Sequence, residues 1–191
     1  YPHQVTVGTP IAFPFCIKGA AYCHLRNLFL MNPYQGIDLA SEVTTPYNGA
    51  FNVFGIYGMP MLLGIDVDQS YDTSTISDIH FWPFWSQDSS LATWRHNNSI
   101  GLRFGRSDWQ IVNNVFTYGS GIGFQFNESG RIAGGTSAQL SNIGIDACQV
   151  GIDATSTGYQ GVNIHGLTVS GALAFDGYGI RANYDATKYA L

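Results

Sequence analysis

Apolar and polar residues alternate along the chain in short runs that recur in nearly the same form. In GLRF at 101–104, Leu102 and Phe104 are apolar and Arg103 between them is polar, and GFQF at 123–126 repeats the arrangement. Because successive side chains of a strand point to opposite faces, each run predicts a strand with one apolar face. Gly, Ser and Asp residues flank the runs, so the pattern predicts short strands separated by turns.

Two kinds of run recur through the whole chain. The first starts with a glycine, and the second starts with a polar residue, Asn27, Asn52, Asp78, Asn114 or Asn142. The repeat is about 22 to 28 residues long and has no helical periodicity, which favours a β-solenoid over a propeller, whose blades need about 40 residues or more. The predicted fold class is therefore all-β, a parallel β-helix of about six to seven coils. We predict that residues 1–191 form a single domain with this fold. Neither end carries an evident cap, so we expect the chain to be part of a longer β-helix or its ends to be covered by partners.

The polar residues that open the second kind of run are predicted to stack on one another at one corner of the solenoid. In that ladder each side chain would bond backbone groups of the neighbouring coil, which stabilises stacked strands. We therefore interpret these residues as structural.

The longest interruption of the repeat is at 83–98, and we predict that it leaves the solenoid as a surface loop. It carries Trp85, Trp94, Arg95 and His96. Large aromatic side chains in such a loop either cover part of the core or contact a ligand.

Stacking of the repeats also predicts an aromatic outer surface. Residues at the same position of the second run form columns, and the outward columns contain Phe29, Phe54, His80, Phe116, Met31, Trp82 and Tyr118. Tyr57 is predicted to join the column of Met31, Trp82 and Tyr118, because its run is irregular at Gly55. A continuous exposed aromatic surface marks an interaction site. It could stack against sugar rings, pack on another subunit, or pack on a further part of the same chain.

The outward positions of the first run place three carboxylates on one face, within two coils. These are Asp38, Asp66 and Asp68, and Arg103 follows on the next coil. Carboxylates this close either raise one another's pKa, which suits general acid–base catalysis, or bind a hard cation such as Ca²⁺. The alternative is a solvated face that Arg103 and Lys18 neutralise.

The low content of charged residues excludes several classes of protein. Only 11% of the residues are charged, whereas the average domain has about 25%. A helical protein would need more Glu, Lys and Arg, so the composition argues against that class. The net charge of -5 argues against binding to nucleic acid or to an anionic membrane surface, since both require an excess of Lys and Arg. No apolar run approaches the length of about 18 residues that a membrane span needs.

The runs GIDVD, ISDIHFWPFW and LRFGRSDWQIVNNVFTYGSGIGFQF resemble coils of the pectate-lyase-like right-handed parallel β-helix superfamily, which includes secreted polysaccharide-active proteins and phage tailspikes. The resemblance implies a right-handed solenoid, secreted or on a virion surface, that acts on polysaccharide in a groove along one sheet. The Asn-Thr-Asp, Asp-Asp, Gly-His-Gly and Arg-Ile-Lys motifs of polygalacturonases are missing. Pectate lyases pair Ca²⁺-binding aspartates with an arginine base, and Asp66, Asp68 and Arg103 could imitate that set.

Two functional hypotheses follow. In the first, the protein is a polysaccharide lyase or glycoside hydrolase with its groove beside residues 83–98. Asp66 and Asp68 would act as acid/base or, with Asp38, as Ca²⁺ ligands, Arg103 as base or substrate clamp, and His80 as a further catalytic residue. The sugar contacts would be Trp82, Trp85, Trp94, Phe54, Phe116 and Tyr118. In the second, the chain is a non-catalytic structural or receptor-binding segment of a tailspike or surface fibre, whose aromatic face packs against sister subunits, for example in a trimer.

Overall fold

The structure is a computed structural model that describes residues 4–40, 49–131, 133–171 and 177–183. Within these residues it contains thirteen strands and one helix. The elements are β1 (Phe15–Lys18), β2 (His24–Leu30), β3 (Gln35–Ala40), β4 (Asn52–Gly58), β5 (Leu63–Asp68), β6 (Ser74–Phe81), α1 (Ser89–Asn98), β7 (Ile100–Phe104), β8 (Ser107–Tyr118), β9 (Ile122–Phe126), β10 (Thr136–Cys148), β11 (Val150–Ala154), β12 (Thr157–Gly171) and β13 (Tyr178–Ala182).

The strands alternate between two sheets along the chain. The seven odd-numbered strands form the first sheet in the order β1-β3-β5-β7-β9-β11-β13, and the six even-numbered strands form the second in the order β2-β4-β6-β8-β10-β12. Every pairing is parallel, as in β5 with β7 and β6 with β8. Each two-strand step of the chain therefore advances both sheets by one strand, and the prediction of an all-β parallel fold is confirmed.

The core lies between the two sheets and matches the predicted alternation. The side chains predicted to line one interior wall are all buried, namely Ile65, Val67, Leu102, Phe104, Phe124, Phe126 and Ile152. Phe104 pairs in register with Phe126, and their rings stack with centroids 5.3 Å apart. Ile79 and Phe81 of the second sheet belong to the same cluster, so the two sheets share one core.

A column of residues with left-handed backbone conformation runs across the second sheet. Its members share one register position and have φ between 52° and 68°: Asn27, Gly55, Asp78, Asn114, Asn142 and Gly166. Two consecutive outward residues, Asn113 and Asn114, separate the buried Val112 and Val115. The left-handed residue therefore shifts the alternation by one position, so that apolar side chains point inward on both sides of it. Asn and Gly adopt this conformation more readily than other residues.

This column corrects the predicted polar ladder at one strand. Asn52 lies at the start of β4 and pairs with His24 and Thr75, whereas Gly55 occupies the ladder position. The ladder bonds also run between side chains and not to backbone: the Asn114 amide donates to Asp78.

A column of glycines in the first sheet brings neighbouring strands close together. A Cβ added to Gly101 of β7 would stand 2.6 Å from the carbonyl oxygen of Gly123 and 2.9 Å from Cγ2 of Thr117. Side chains are excluded here because backbone and the second sheet already fill the space. The recurring glycine of the first run is therefore a packing requirement.

The segment 83–98, which was predicted as a loop, contains the helix α1. Asp88 caps the helix, because its Oδ1 accepts hydrogen bonds from the backbone N–H groups of Ser90 and Leu91 at 3.0 and 3.1 Å. Leu91 and Arg95, one turn apart, are its buried residues. In the described part of the chain no helix has the length and hydropathy to cross a membrane.

Candidate functional site

Seven ring-bearing side chains form a continuous surface on the outside of the second sheet, which we call the aromatic strip. Its members are Phe29, Tyr57, His80, Trp82, Phe84, Phe116 and Tyr118. They arise because the register places one outward ring on each of several neighbouring strands, about 4.8 Å apart.

The rings of the strip are close enough to contact one another. The His80 ring centroid lies 5.9 Å from that of Tyr57, 5.4 Å from Phe84 and 5.3 Å from Phe116, the last at an interplanar angle of 89°. Edge-to-face pairs of this kind contribute about 0.5–1.5 kcal/mol beyond the area they bury. The strip is therefore a preformed surface, although Phe29 is 53% and Tyr57 44% exposed.

The structure corrects the composition of this surface at one strand. Tyr57 pairs with Phe29 and His80, whereas Phe54, predicted as a sugar contact, pairs with Arg26 and Ser77 before the left-handed column. Phe54 is exposed but lies off the strip. The run Asn52-Val53-Phe54 resembles the start of the second kind of run in other coils. Because Asn52 was therefore taken as the ladder residue, Phe54 was assigned to the outward position that Tyr57 occupies.

His80 lies at the centre of the strip, where its surroundings disfavour the imidazolium. Desolvation by burial lowers the pKa of His80 from its ordinary value of 6.5. The rings that contact it belong to Tyr57, Trp82, Phe84 and Phe116. His80 therefore presents a neutral ring near pH 7.

The predicted carboxylates lie on the outside of the first sheet, with Asp38 and Asp66 in direct register. Asp66 is held by Arg103 on the next strand: Arg103 donates from Nε to Oδ1 at 2.8 Å and from an Nη to Oδ2 at 2.6 Å. Asp66 is only 8% exposed. The outward positions of the first run were predicted to be exposed, but Asp38, Asp66 and Asp153 are buried. In the described chain, Asp153 accepts a single hydrogen bond, from Nε of Arg181 at 2.8 Å.

The ion pair fixes the charge of Arg103. Hydrogen bonding to Asp66 is the largest cause that raises the pKa of Arg103, and the charges of Asp68 and Asp38 add to it. A guanidinium with a raised pKa is a poor general base, so this pair does not suit the predicted role of Arg103 as a base. The pair instead suits neutralisation of Asp66 by Arg103, as in the alternative, although the carboxylate is buried and not solvated.

Asp68 organises the neighbouring loops. Its Oδ1 accepts from the backbone N–H of Gln69 at 2.8 Å and of Arg106 at 2.9 Å, and its Oδ2 accepts from the Ser129 hydroxyl at 2.9 Å. A Cβ added to Gly105 would stand 2.6 Å from Oδ1. With both oxygens engaged and backbone packed against them, Asp68 acts as an anchor for the chain after β5.

The structure keeps Asp66, Asp68 and Arg103 of the predicted catalytic set together on the first sheet but places His80 on the second. Asp66 alternates with the buried Ile65 on the first sheet, and His80 alternates with the buried Ile79 on the second. Because both apolar residues fill the shared core, Asp66 and His80 point away from it on different sheets. Among the described residues no three His, Cys, Asp or Glu side chains form a group that could hold a metal ion. The predicted Ca²⁺ ligands Asp38, Asp66 and Asp68 therefore form no such group.

Two of the predicted sugar contacts support the inserted helix. Trp85 and Trp94 are partly buried and pack against a small apolar cluster of Met59, Met61 and Leu91. This cluster attaches α1 to the ends of the sheets. The two tryptophans therefore cover this apolar cluster.

A cavity of about 570 Å³ lies between α1 and the end of the second sheet, beside the strip. Trp82 and Tyr118 belong to both the cavity wall and the strip. Arg95 lines the cavity although only 2% of its surface is exposed. Sequence reasoning placed Arg95 in a surface loop, and only the one-turn spacing of Leu91 and Arg95 in a capped segment could have indicated a buried face.

No protein-family model matches this chain, and neither a curated protein nor a solved structure matches it. The functional argument therefore depends on the geometry of the two sheets and of the surfaces they carry.

Proposed function

We propose that the chain is a right-handed parallel β-helix that binds polysaccharide along the aromatic strip, as a secreted or virion-surface protein. The two sheets support the solenoid, because consecutive strands alternate between them without exception. Connections between parallel strands of one sheet are right-handed in about 98% of cases, which supports the hand.

The strip is the observation that carries the binding proposal. Its rings follow one another across neighbouring strands, and the C–H faces of sugar rings suit aromatic planes. Beyond Phe116 the same register positions hold Gly144 and Thr168, so the aromatic surface has a defined end. A chain of sugars can lie across the strands and meet a ring at each step.

The geometry favours binding over cleavage. The carboxylates predicted to act as acid and base are engaged by Arg103 and by the loop donors around Asp68. Neither lies on the sheet that carries the strip. Cleavage by a lyase or hydrolase remains a separate part of the prediction, with its own assay.

The binding proposal is tested with a panel of acidic and neutral polysaccharides and with variants of the strip. Phe29→Ala and Phe116→Ala should each weaken binding by about 1 kcal/mol or more, roughly fivefold in Kd. The matched control is Tyr159→Ala, since Tyr159 is 97% exposed and lies at the start of β12, off the strip. If all three variants bind like the parent protein, the strip is not the binding surface.

Two further measurements separate the alternatives. Absorbance of new unsaturated ends and release of reducing sugar distinguish lyase, hydrolase and inert binder. Sedimentation of the parent protein and of Phe29→Ala tests the fibre alternative, in which the strip packs against sister subunits. An assembly that dissociates on this substitution, with no glycan bound by either form, would favour the fibre.

A further inference from the structure

The cavity beside the strip contains a buried charge, that of Arg95, whereas the strip consists of uncharged rings. Its walls are mainly apolar and include Met59, Pro83 and Ala147, and polar side chains such as Thr93 and Gln149 stand among them. Arg95 is the buried cation of this cavity. A volume of about 570 Å³ lies within the range of small-molecule sites, about 300–1,000 Å³.

Only part of the Arg95 guanidinium is satisfied by the protein. Nε donates to the Pro60 carbonyl at 3.1 Å and Nη2 to the Tyr118 carbonyl at 3.3 Å. Within the described chain, Nη1 has no hydrogen-bond partner and no carboxylate forms an ion pair with Arg95. Nη1 lies 3.9 Å from where a Cβ of Gly119 would stand, and Gly119 is itself part of the cavity wall.

The neighbouring titratable groups in the described chain supply no competing negative charge. Among the described residues, the one titratable group whose charge acts on Arg95 is Cys148, and burial raises the pKa of that thiol, which keeps it neutral. The Asp146 carboxylate accepts a hydrogen bond from the Ser170 hydroxyl at 2.6 Å and is not part of the cavity wall. His96 also lines the cavity, and it carries no carboxylate that would compete with a bound anion.

Burying a lone guanidinium costs several kcal/mol unless an anion compensates it. Burial lowers the pKa of Arg95 to about 10, so the group still carries its charge at pH 7. The protein thus holds a cation, with unused donors, in a mainly apolar cavity. Such a combination is typical of a ligand site, in which a few polar groups orient an apolar body.

We propose that this cavity binds a small hydrophobic monocarboxylate, with the carboxylate on Nη1 of Arg95 and the apolar body between Trp82 and Pro83. One positive charge and two N–H donors match one carboxylate. A phosphate dianion would leave charge and acceptor oxygens unsatisfied, and a sugar acid would bury hydroxyl groups against apolar walls. The proposal does not rest on the proposed glycan function, although the cavity shares Trp82 and Tyr118 with the strip.

Calorimetric titration tests the proposal with three carboxylate probes: phenylacetate, indole-3-acetate and octanoate. At least one should bind, and a neutral analogue of phenylacetate, 2-phenylethanol, should bind at least about tenfold more weakly than the acid. Arg95→Gln should weaken carboxylate binding at least about tenfold and leave glycan binding by the strip unchanged. Phe29→Ala should show the reverse pattern.

A second variant keeps the test decisive if Arg95→Gln does not fold. Ala92 is exposed and lines the cavity, so Ala92→Phe should occupy the cavity mouth and abolish carboxylate binding. Ser89→Phe is the matched control, because Ser89 is exposed on the same helix but is not part of the cavity wall. Equal binding by these two variants would overturn the proposal.

Three other outcomes would also overturn the proposal. They are failure of all three carboxylates to bind, binding of 2-phenylethanol as tight as that of phenylacetate, and binding of glucuronate or inorganic phosphate as tight as that of phenylacetate. A failure here would not affect the strip, whose binding is measured with polysaccharides and not with these carboxylates.

Discussion

Phe104 and Phe116 carry the same side chain in opposite settings, and replacing each with alanine separates core from surface. Phe104 is fully buried, and its ring centroid is 5.3 Å from that of Phe126 and 6.4 Å from that of Phe124. Phe104→Ala removes a buried ring and leaves a cavity between strands, which costs about 3–5 kcal/mol. For a chain of this length we expect the Tm to fall by roughly 6–20 °C.

Phe116→Ala removes the same atoms from a partly buried ring on the aromatic strip. It loses the edge-to-face contact with His80 and part of its burial, about 1–2 kcal/mol in total. Urea and thermal unfolding, followed by circular dichroism and by tryptophan fluorescence, measure both losses. Glycan binding, measured where both variants are folded, should change only for Phe116→Ala. Equal stability losses would show that the inward and outward faces have been misassigned, and loss of binding in Phe104→Ala alone would remove the strip as the binding surface.

Three further outcomes are expected from single changes. Gly101→Ala should lower the free energy of unfolding by about 1–3 kcal/mol, because its Cβ would meet the Gly123 carbonyl oxygen; calorimetry would contradict this if the Tm were unchanged. Asn114→Gly should be more stable than Asn114→Val by at least about 1 kcal/mol, since Asn114 has φ of 52° and β-branched residues are strained there; denaturant unfolding of the pair measures it. The pKa of His80, measured by NMR, should lie below 6.5 and rise towards 6.5 in Phe84→Ala, which exposes the imidazole to water. The folded state opposes protonation of His80, so the free energy of unfolding should fall as the pH drops below 6.5. A measured His80 pKa above 6.5 would contradict this argument.

The core could be predicted because strand alternation is a local signal. Phe104 and Phe126 follow directly from the period of two, and their stacking follows from the repeat. The ladder at β4 was misread because Gly55 adopts the left-handed conformation without any polar side chain to reveal it. A conformation, and not a residue type, defines that column.

The site was harder to predict because it depends on contacts between distant parts of the chain. Asp66 was predicted as an exposed carboxylate, but Arg103 covers it with two hydrogen bonds, and this requires the side-chain geometry of both strands. Arg95 was placed in a loop because the helix α1 has few strong helix formers and begins at the cap Asp88. Its burial follows from the fit of that helix to Pro60 and Tyr118, which no local pattern contains.

The inserted segment 83–98 enters between β6 and β7 without disturbing either sheet. Ile79 still pairs with Val115 in the second sheet, and Ile65 still pairs with Leu102 in the first. The strand register is therefore independent of the length of this corner. This corner can therefore be exchanged separately from the core. A different segment between Phe81 and Ile100 would change the cavity and leave the pairing of the stacked strands unchanged.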